Sequence, residues 1–219
     1  MLELVLIRHA DPDYKNDTIT GLGHRQAKAL AGYFKKSGMK FNAIFASNFG
    51  RAQATMRYTA EAYGMPWTIL PWLGEPDGRA PDGRWSWSMP RTEHLEKNIP
   101  FDAENWPRHV SYGKQLQAIQ KERLAALNKF LAGYGLAKYR LRYRVKEASS
   151  ECLALFAHEG FIKIMLSALL HWPLPYVFAH VTYEPTGVTR LLFEEHDGYA
   201  TPRAVTINDR SHLVSKDLR

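Results

Sequence analysis

Apolar positions recur along this chain with two different periods, and the switching between them predicts alternating strands and helices. The run from Leu2 to Ile7 reads as an opening strand. Ala27, Leu30, Ala31 and Phe34 then fall on one helical face, with Thr20 as a capping residue before it and Gly38 as a stop after it. Phe41 to Ala46 is expected as a second strand. A second helix from about Phe49 presents Ala52, Met56, Thr59, Ala60 and Tyr63 on one side and closes at Gly64 and Pro66, before a short strand at Trp67 to Leu70. Past an irregular stretch, Leu116, Ile119, Leu124, Leu127 and Leu131 mark a long helix. Glu151 to Ala157 reads as a buried strand feeding a helix with Phe161, Ile164, Met165 and Ala168, and strands near Val188 to Phe193 and Ala204 to Ile207 finish the pattern. This ordering predicts an α/β fold with a central, mostly parallel sheet.

The irregular stretch, about 71–110, loses all periodicity and mixes Pro, Gly and Asp with Trp72, Trp85, Trp87 and Trp106. It reads as an insertion in a single domain spanning 1–219. Loops of that length are active-site covers or binding loops, or segments whose tryptophans anchor them to the core; both readings stand. No internal repeat or low-complexity segment interrupts the chain.

With 219 residues and 45% hydrophobic content, the chain is long enough for one sizeable core. The N-terminal run carries Glu3 and leads straight into Arg8, unlike a secretory leader, and Cys152 to Phe178 is interrupted by His158, Glu159, Lys163 and His171, unlike a membrane span. A single cysteine, Cys152, flanked by apolar residues, suits a buried thiol in a reducing cytoplasm. The formal charge of +7 favours anionic ligands. Arg140, Arg142, Arg144 and Lys146 alternate as on one solvated strand face, and without a nucleic-acid motif beside them no nucleic acid is expected. Small phosphorylated compounds account for the charge equally well, and oligomeric state is not legible.

Polar groups cluster where strands end: Arg8 with His9, Ser47 to Arg51, and His158. In open α/β sheets the carboxyl ends of strands line the ligand crevice, so these groups are expected to meet. The motifs that carry them are LVLIRHA, ITGLGHRQA at Ile19 to Ala27, ASNFGRAQAT at Ala46 to Thr55, LALFAHEG at Leu153 to Gly160, and NDRSHL near the C-terminus. Together they resemble the histidine phosphatase superfamily, the phosphoglycerate mutase-like proteins, in its compact branch. The resemblance implies a three-layer αβα sandwich and a phosphatase acting on phosphate monoesters through a phosphohistidine. In that reading His9 is the nucleophile, Arg8 and Arg51 bind phosphoryl oxygens, and His158 steadies the charge that develops in transfer. Neither metal nor cofactor is implied; His94, His109, His180 and His196 have no ligand spacing.

Two positions depart from the family pattern. Ala10 replaces the usual glycine after the nucleophile, and Glu159 stands where a glycine often follows the second histidine. The resemblance offers Glu75, in Leu73-Gly74-Glu75, as the proton donor to the leaving alkoxide, with Glu159 as its rival by analogy to the acid-phosphatase branch. Asn16 is a secondary phosphate-binding candidate or a turn former, and Ser47 a secondary site candidate or a cap for the second helix. Mutase-type transfer and non-catalytic binding of a phosphorylated ligand are the alternatives.

Overall fold

The computed structural model describes residues 1–96, 100–215 and Leu218, so residues 97–99 of the irregular stretch lie outside it. The strands are β1 (Glu3–Arg8), β2 (Pro12–Asp13), β3 (Thr18–Ile19), β4 (Ala43–Ala46), β5 (Trp67–Ile69), β6 (Leu136–Tyr139), β7 (Arg142–Val145), β8 (Cys152–Ala157), β9 (Val188–His196) and β10 (Tyr199–Asp209). The helices are α1 (Gly21–Lys36), α2 (Gly50–Tyr63), α3 (Arg91–His94), α4 (Gly113–Ala132), α5 (Glu159–Leu170) and α6 (Leu174–His180). Eight strands form one sheet in the order β5-β4-β8-β1-β9-β10-β7-β6, while β2 and β3 pair as a separate hairpin.

Strands β5, β4, β8 and β1 run parallel. From β1 outward every pairing is antiparallel. The parallel half is what the apolar runs anticipate, because strands covered by helices on both faces carry few polar positions. β1 shows the two-sidedness directly: Leu4 and Leu6 join the core cluster containing Leu116, Leu127 and Ile164, whereas Val5 and Ile7 join the one containing Leu30, Phe34 and Met56. Successive side chains on a strand point to opposite faces, so α1 and α2 cover one face and α4 and α5 the other. The result is a three-layer α/β sandwich.

The β6–β7 hairpin supplies the exposed basic face. Arg142 and Arg144 are exposed while Tyr143 between them is buried. Their guanidinium carbons lie 3.6 Å from the Tyr199 ring and 5.0 Å from the Tyr139 ring, so the arginines stack on the sheet's own aromatics. α6 carried no sequence expectation. It is only seven residues long and follows Pro173, too short to display a helical period.

Candidate active site

Parallel strands deliver the site. β1 ends at Arg8, β4 at Ala46 and β8 at Ala157, and the register pairs Arg8 with Ala157 and Ala46 with Phe156. His9, Ser47 and His158 therefore emerge side by side. Their departure is tied down by backbone bonds, His9 N to Ala157 O at 3.0 Å and Ser47 N to Phe156 O at 3.0 Å. Ala10 is fully buried, keeps an ordinary negative φ, and donates its N–H to Thr55 Oγ1 at 2.9 Å. The alanine that departs from the family pattern is thus accommodated without backbone strain.

The His9 and His158 rings lie 5.2 Å apart between centroids, tilted by 58°. His9 Nδ1 is 2.7 Å from the Ala10 carbonyl. A carbonyl can only accept, so Nδ1 carries the proton and Nε2 keeps its lone pair. Burial, reinforced by the charge of Arg8, pulls the His9 pKa down to about 3, so the ring is neutral at physiological pH. His158 is also held well below its ordinary value, first by burial and then by electrostatic interaction with His9 and with the cationic Arg51 and Arg8. Its Nε2 meets Ser47 Oγ at 2.7 Å, and its buried Nδ1 has no partner among the described residues. Ser47 Oγ accepts the Phe49 N–H at 3.3 Å, which leaves its own proton to donate to Nε2, and the ring proton then sits on Nδ1.

Arg51 is positioned from the opposite direction. The Asp17 carboxylate takes its Nη1 at 2.6 Å and also takes the Gly50 N–H at 2.6 Å at the start of α2. The expectation that Ser47 caps this helix is corrected here. The cap position is Phe49, with no side-chain cap bond, and Ser47 serves His158 while Asp17 meets the helix start. The loop comes close enough for this only because residue 50 is glycine; a Cβ there would sit 2.1 Å from the Asp17 carbonyl oxygen. Asp17 itself adopts a φ of 46°, a conformation short polar residues tolerate best. Its role went unread in the sequence because it depends on a turn meeting a distant helix. The one signal was GRA, a glycine directly before the arginine. Asn16 is exposed and bonds Asp13, in keeping with the turn reading, so it is not brought to the site.

Arg8 donates through Nη1 to the Tyr183 carbonyl and lies 3.0 Å from Glu159 Oε2. The other oxygen of Glu159 is 2.7 Å from Lys163 Nζ, one helical turn on. Glu159 thus bridges two cations, an arrangement that positions Arg8. Glu75 is placed differently. It accepts the N–H groups of Gly160 at 3.3 Å and Phe161 at 2.9 Å in the first turn of α5. Burial nevertheless dominates and raises its pKa to about 7, with the charge of Glu159 adding to the rise and the two N–H groups and Arg8 opposing it.

These groups line one cavity of about 620 Å³, whose wall includes Arg8, His9, Arg51, Glu75 and Glu159. The far wall comes from the irregular stretch, through Pro76, Asp77, Arg79, Trp85, Trp87 and Ser88. Trp87 and Trp106 are buried and Trp85 is half-buried, and Trp85 and Trp87 both line the cavity. Trp87 lies against Gly160, where a Cβ would fall 2.6 Å from the indole. No group of three or more His, Cys, Asp or Glu side chains among the described residues could hold a metal ion. Nor is any helix among them long and apolar enough to cross a membrane. Cys152 lies outside the cavity, its thiol pushed up to about 12 chiefly by burial.

The family model of the histidine phosphatase superfamily (branch 1) matches residues 4–209. The chain belongs to that superfamily. Its fold is shared by a phosphoserine phosphatase of Entamoeba histolytica solved with 3-phosphoglyceric acid, at TM-score 0.67 and 17% identity over 98% of this chain and 100% of that one. A mycobacterial glucosyl-3-phosphoglycerate phosphatase gives TM-score 0.64 and 19% identity over 94% and 98% of the two chains. Bacillus stearothermophilus YhfR gives 0.65 and 18% over 97% and 100%. At such identities the likeness establishes the fold alone. No curated protein matches the chain in sequence. Superfamily membership supports phosphatase activity; in this superfamily member Arg8, His9, Arg51 and Glu75 line one cavity, and His158 lies beside His9.

Proposed function

We propose that this protein hydrolyses phosphate monoesters through a phosphohistidine formed on His9, with no metal ion taking part. The observation that carries the reading is the pair of neutral imidazoles 5.2 Å apart, with the His9 proton fixed on Nδ1 by the Ala10 carbonyl. His9 Nε2 attacks phosphorus in line, the P–N bond forms, and the ester P–O bond breaks. Arg8, Arg51 and the His158 Nδ1–H hold the phosphoryl oxygens, where directed donors in a partly dry cavity count most. Glu75, with a pKa near 7, is half protonated at neutral pH and gives its proton to the departing alkoxide. The Glu75 carboxylate then takes a proton from water, water attacks phosphorus, the P–N bond breaks, and inorganic phosphate leaves with both residues restored. We assign the work to one domain, with residues 71–110 as an insertion that completes the cavity, acting on small phosphorylated compounds in the cytoplasm.

The direct test is turnover of labelled ester quenched in alkaline detergent. Label attached to His9, stable to alkali and labile to acid, is expected in the wild type and absent in His9→Asn. An alkali-labile adduct, or unchanged hydrolysis by the variant, would overturn the mechanism.

A further inference from the structure

The cavity is much larger than a phosphoryl group requires. Its volume of about 620 Å³ falls in the range that takes a drug-sized ligand, ~300–1,000 Å³. Once the groups assigned to phosphate and proton transfer are set aside, the remaining wall is mostly apolar: Tyr14, Phe49, Pro76, Trp85 and Trp87. Its stiffest part is a stack. Trp85 and Trp87 are 5.1 Å apart and within 17° of parallel, Arg79 covers Trp85 at 3.8 Å, and Trp87 packs on Gly160. Such a wall is held in place before a ligand arrives, which lowers the cost of ordering it on binding.

The charged groups point the same way. Arg8 is paired with Glu159, and Arg51 with Asp17. Arg79 is 3.6 Å from Asp77, with both side chains turned outward, 51% and 82% exposed. An incoming phosphoryl dianion recruits Arg8 and Arg51. The Arg79–Asp77 pair, two opposite charges side by side and open to water, is what the cavity then offers to a charge on the leaving group. A carboxylate or ammonium on that group would lose water, and its attraction to one of these residues would be screened by solvent and offset by the opposite charge beside it. An apolar group would cover the aromatic wall and gain free energy with each methylene buried.

Building on the phosphatase reading, we propose that the substrate is the phosphate monoester of a bulky, uncharged, largely apolar alcohol, selected by Tyr14, Trp85 and Trp87. Tyr14 is the solvent-side contact, 67% exposed and edge-on to His9 with ring centroids 6.5 Å apart. The indole pair is the fixed one. The preference belongs to binding, so it is expected in KM more than in kcat.

The experiment uses phosphate esters of primary alcohols, so that the basicity of the leaving alkoxide stays nearly constant along the series. Phosphate release is measured for ethyl, butyl, hexyl and 3-phenylpropyl phosphate, beside phosphoserine, 3-phosphoglycerate and para-nitrophenyl phosphate. Expected is a rise in kcat/KM of about threefold per added methylene, carried by KM, with 3-phenylpropyl phosphate at the top. In Trp85→Ala and in Tyr14→Ala the hexyl-to-ethyl ratio is expected to fall toward one. Tyr14 is exposed, so its variant keeps the test alive if Trp85→Ala fails to fold. A flat or falling alkyl series with para-nitrophenyl phosphate still hydrolysed, or a preference for phosphoserine or 3-phosphoglycerate, overturns the substrate class and leaves the phosphatase reading standing. A rising series that neither variant flattens overturns the assignment to these side chains. No phosphate from any ester, para-nitrophenyl phosphate included, sinks both readings.

Discussion

Arg8 and His9 reach the cavity where β1 ends, with His158 beside His9 where β8 ends, whereas Glu75, Trp85 and Trp87 reach it from a segment whose regular pieces, among the described residues, are 3-10 turns and the short α3. The first region is fixed by sheet register, each residue's place following from a neighbouring strand by backbone bonds. The second is fixed by contacts between side chains and loops: Trp87 on Gly160, and Glu75 on the first N–H groups of α5. Strand ends suit chemistry that demands accurate geometry, and loop walls suit the part of a site that differs from one relative to the next. The two carboxylates at the seam divide in the same manner. Glu159, on α5, is tied to two cations; Glu75, on the loop, is desolvated and titrates near neutrality.

If chemistry lives at the strand ends, the largest loss must come from His9. His9→Asn should reduce turnover by on the order of 10⁴-fold or more with folding intact, as judged by circular dichroism and thermal melting. Arg51→Lys comes next. A point charge cannot keep both the Asp17 contact and directed bonds to a phosphoryl group, so a loss of about 10²–10³ in kcat is expected. A variant with full activity would remove Arg51 from the phosphate site.

The loop side should speak through the leaving group. Glu75→Gln is expected to slow alkyl phosphates about a hundredfold and para-nitrophenyl phosphate far less, because a phenolate of pKa about 7 departs without a proton. Glu159→Gln should show no such dependence; if it does, the donor lies on α5 and the division of labour proposed here is reversed. The pH profile sharpens the point. Since the acid form of Glu75 is the active one and its pKa is about 7, kcat for alkyl esters should decline above that pH while aryl esters stay level.

The smallest effect concerns stability. Burial depresses His94 to about 4 and lowers His109, both within 71–110, and His94 is fully buried against Tyr112 and Phe178. A histidine whose folded pKa lies below its unfolded value of 6.5 supports the fold above that pH and progressively less as pH falls toward its folded pKa. Between pH 6.5 and about 4, hydrogen exchange should therefore rise in the insertion before it rises in β1 and β8. Equal protection loss in both regions would mean that the insertion is no separate unit of stability.

The sequence by itself determined the elements and the chemistry at their ends. Apolar runs such as LVLI and LALFA, short and bounded by polar residues, read as strands buried on both faces, and the RH and AH that follow them leave the sheet at its carboxyl edge. Thr20 as a cap was legible for a similar reason, since a cap is a local bond, here to the Gly23 N–H at 3.1 Å. What depends on long-range packing was not legible. Period-two runs do not state their partners, so the antiparallel half of the sheet awaited pairing in space. Asp17 reaching α2, Ser47 turning to His158, and Glu75 meeting the start of α5 are contacts across 33, 111 and 85 residues respectively. Tertiary structure alone decides such contacts, because hydropathy and propensity describe a residue and its near neighbours, whereas a desolvated carboxylate or an oriented guanidinium is a property of whatever the rest of the chain packs around it.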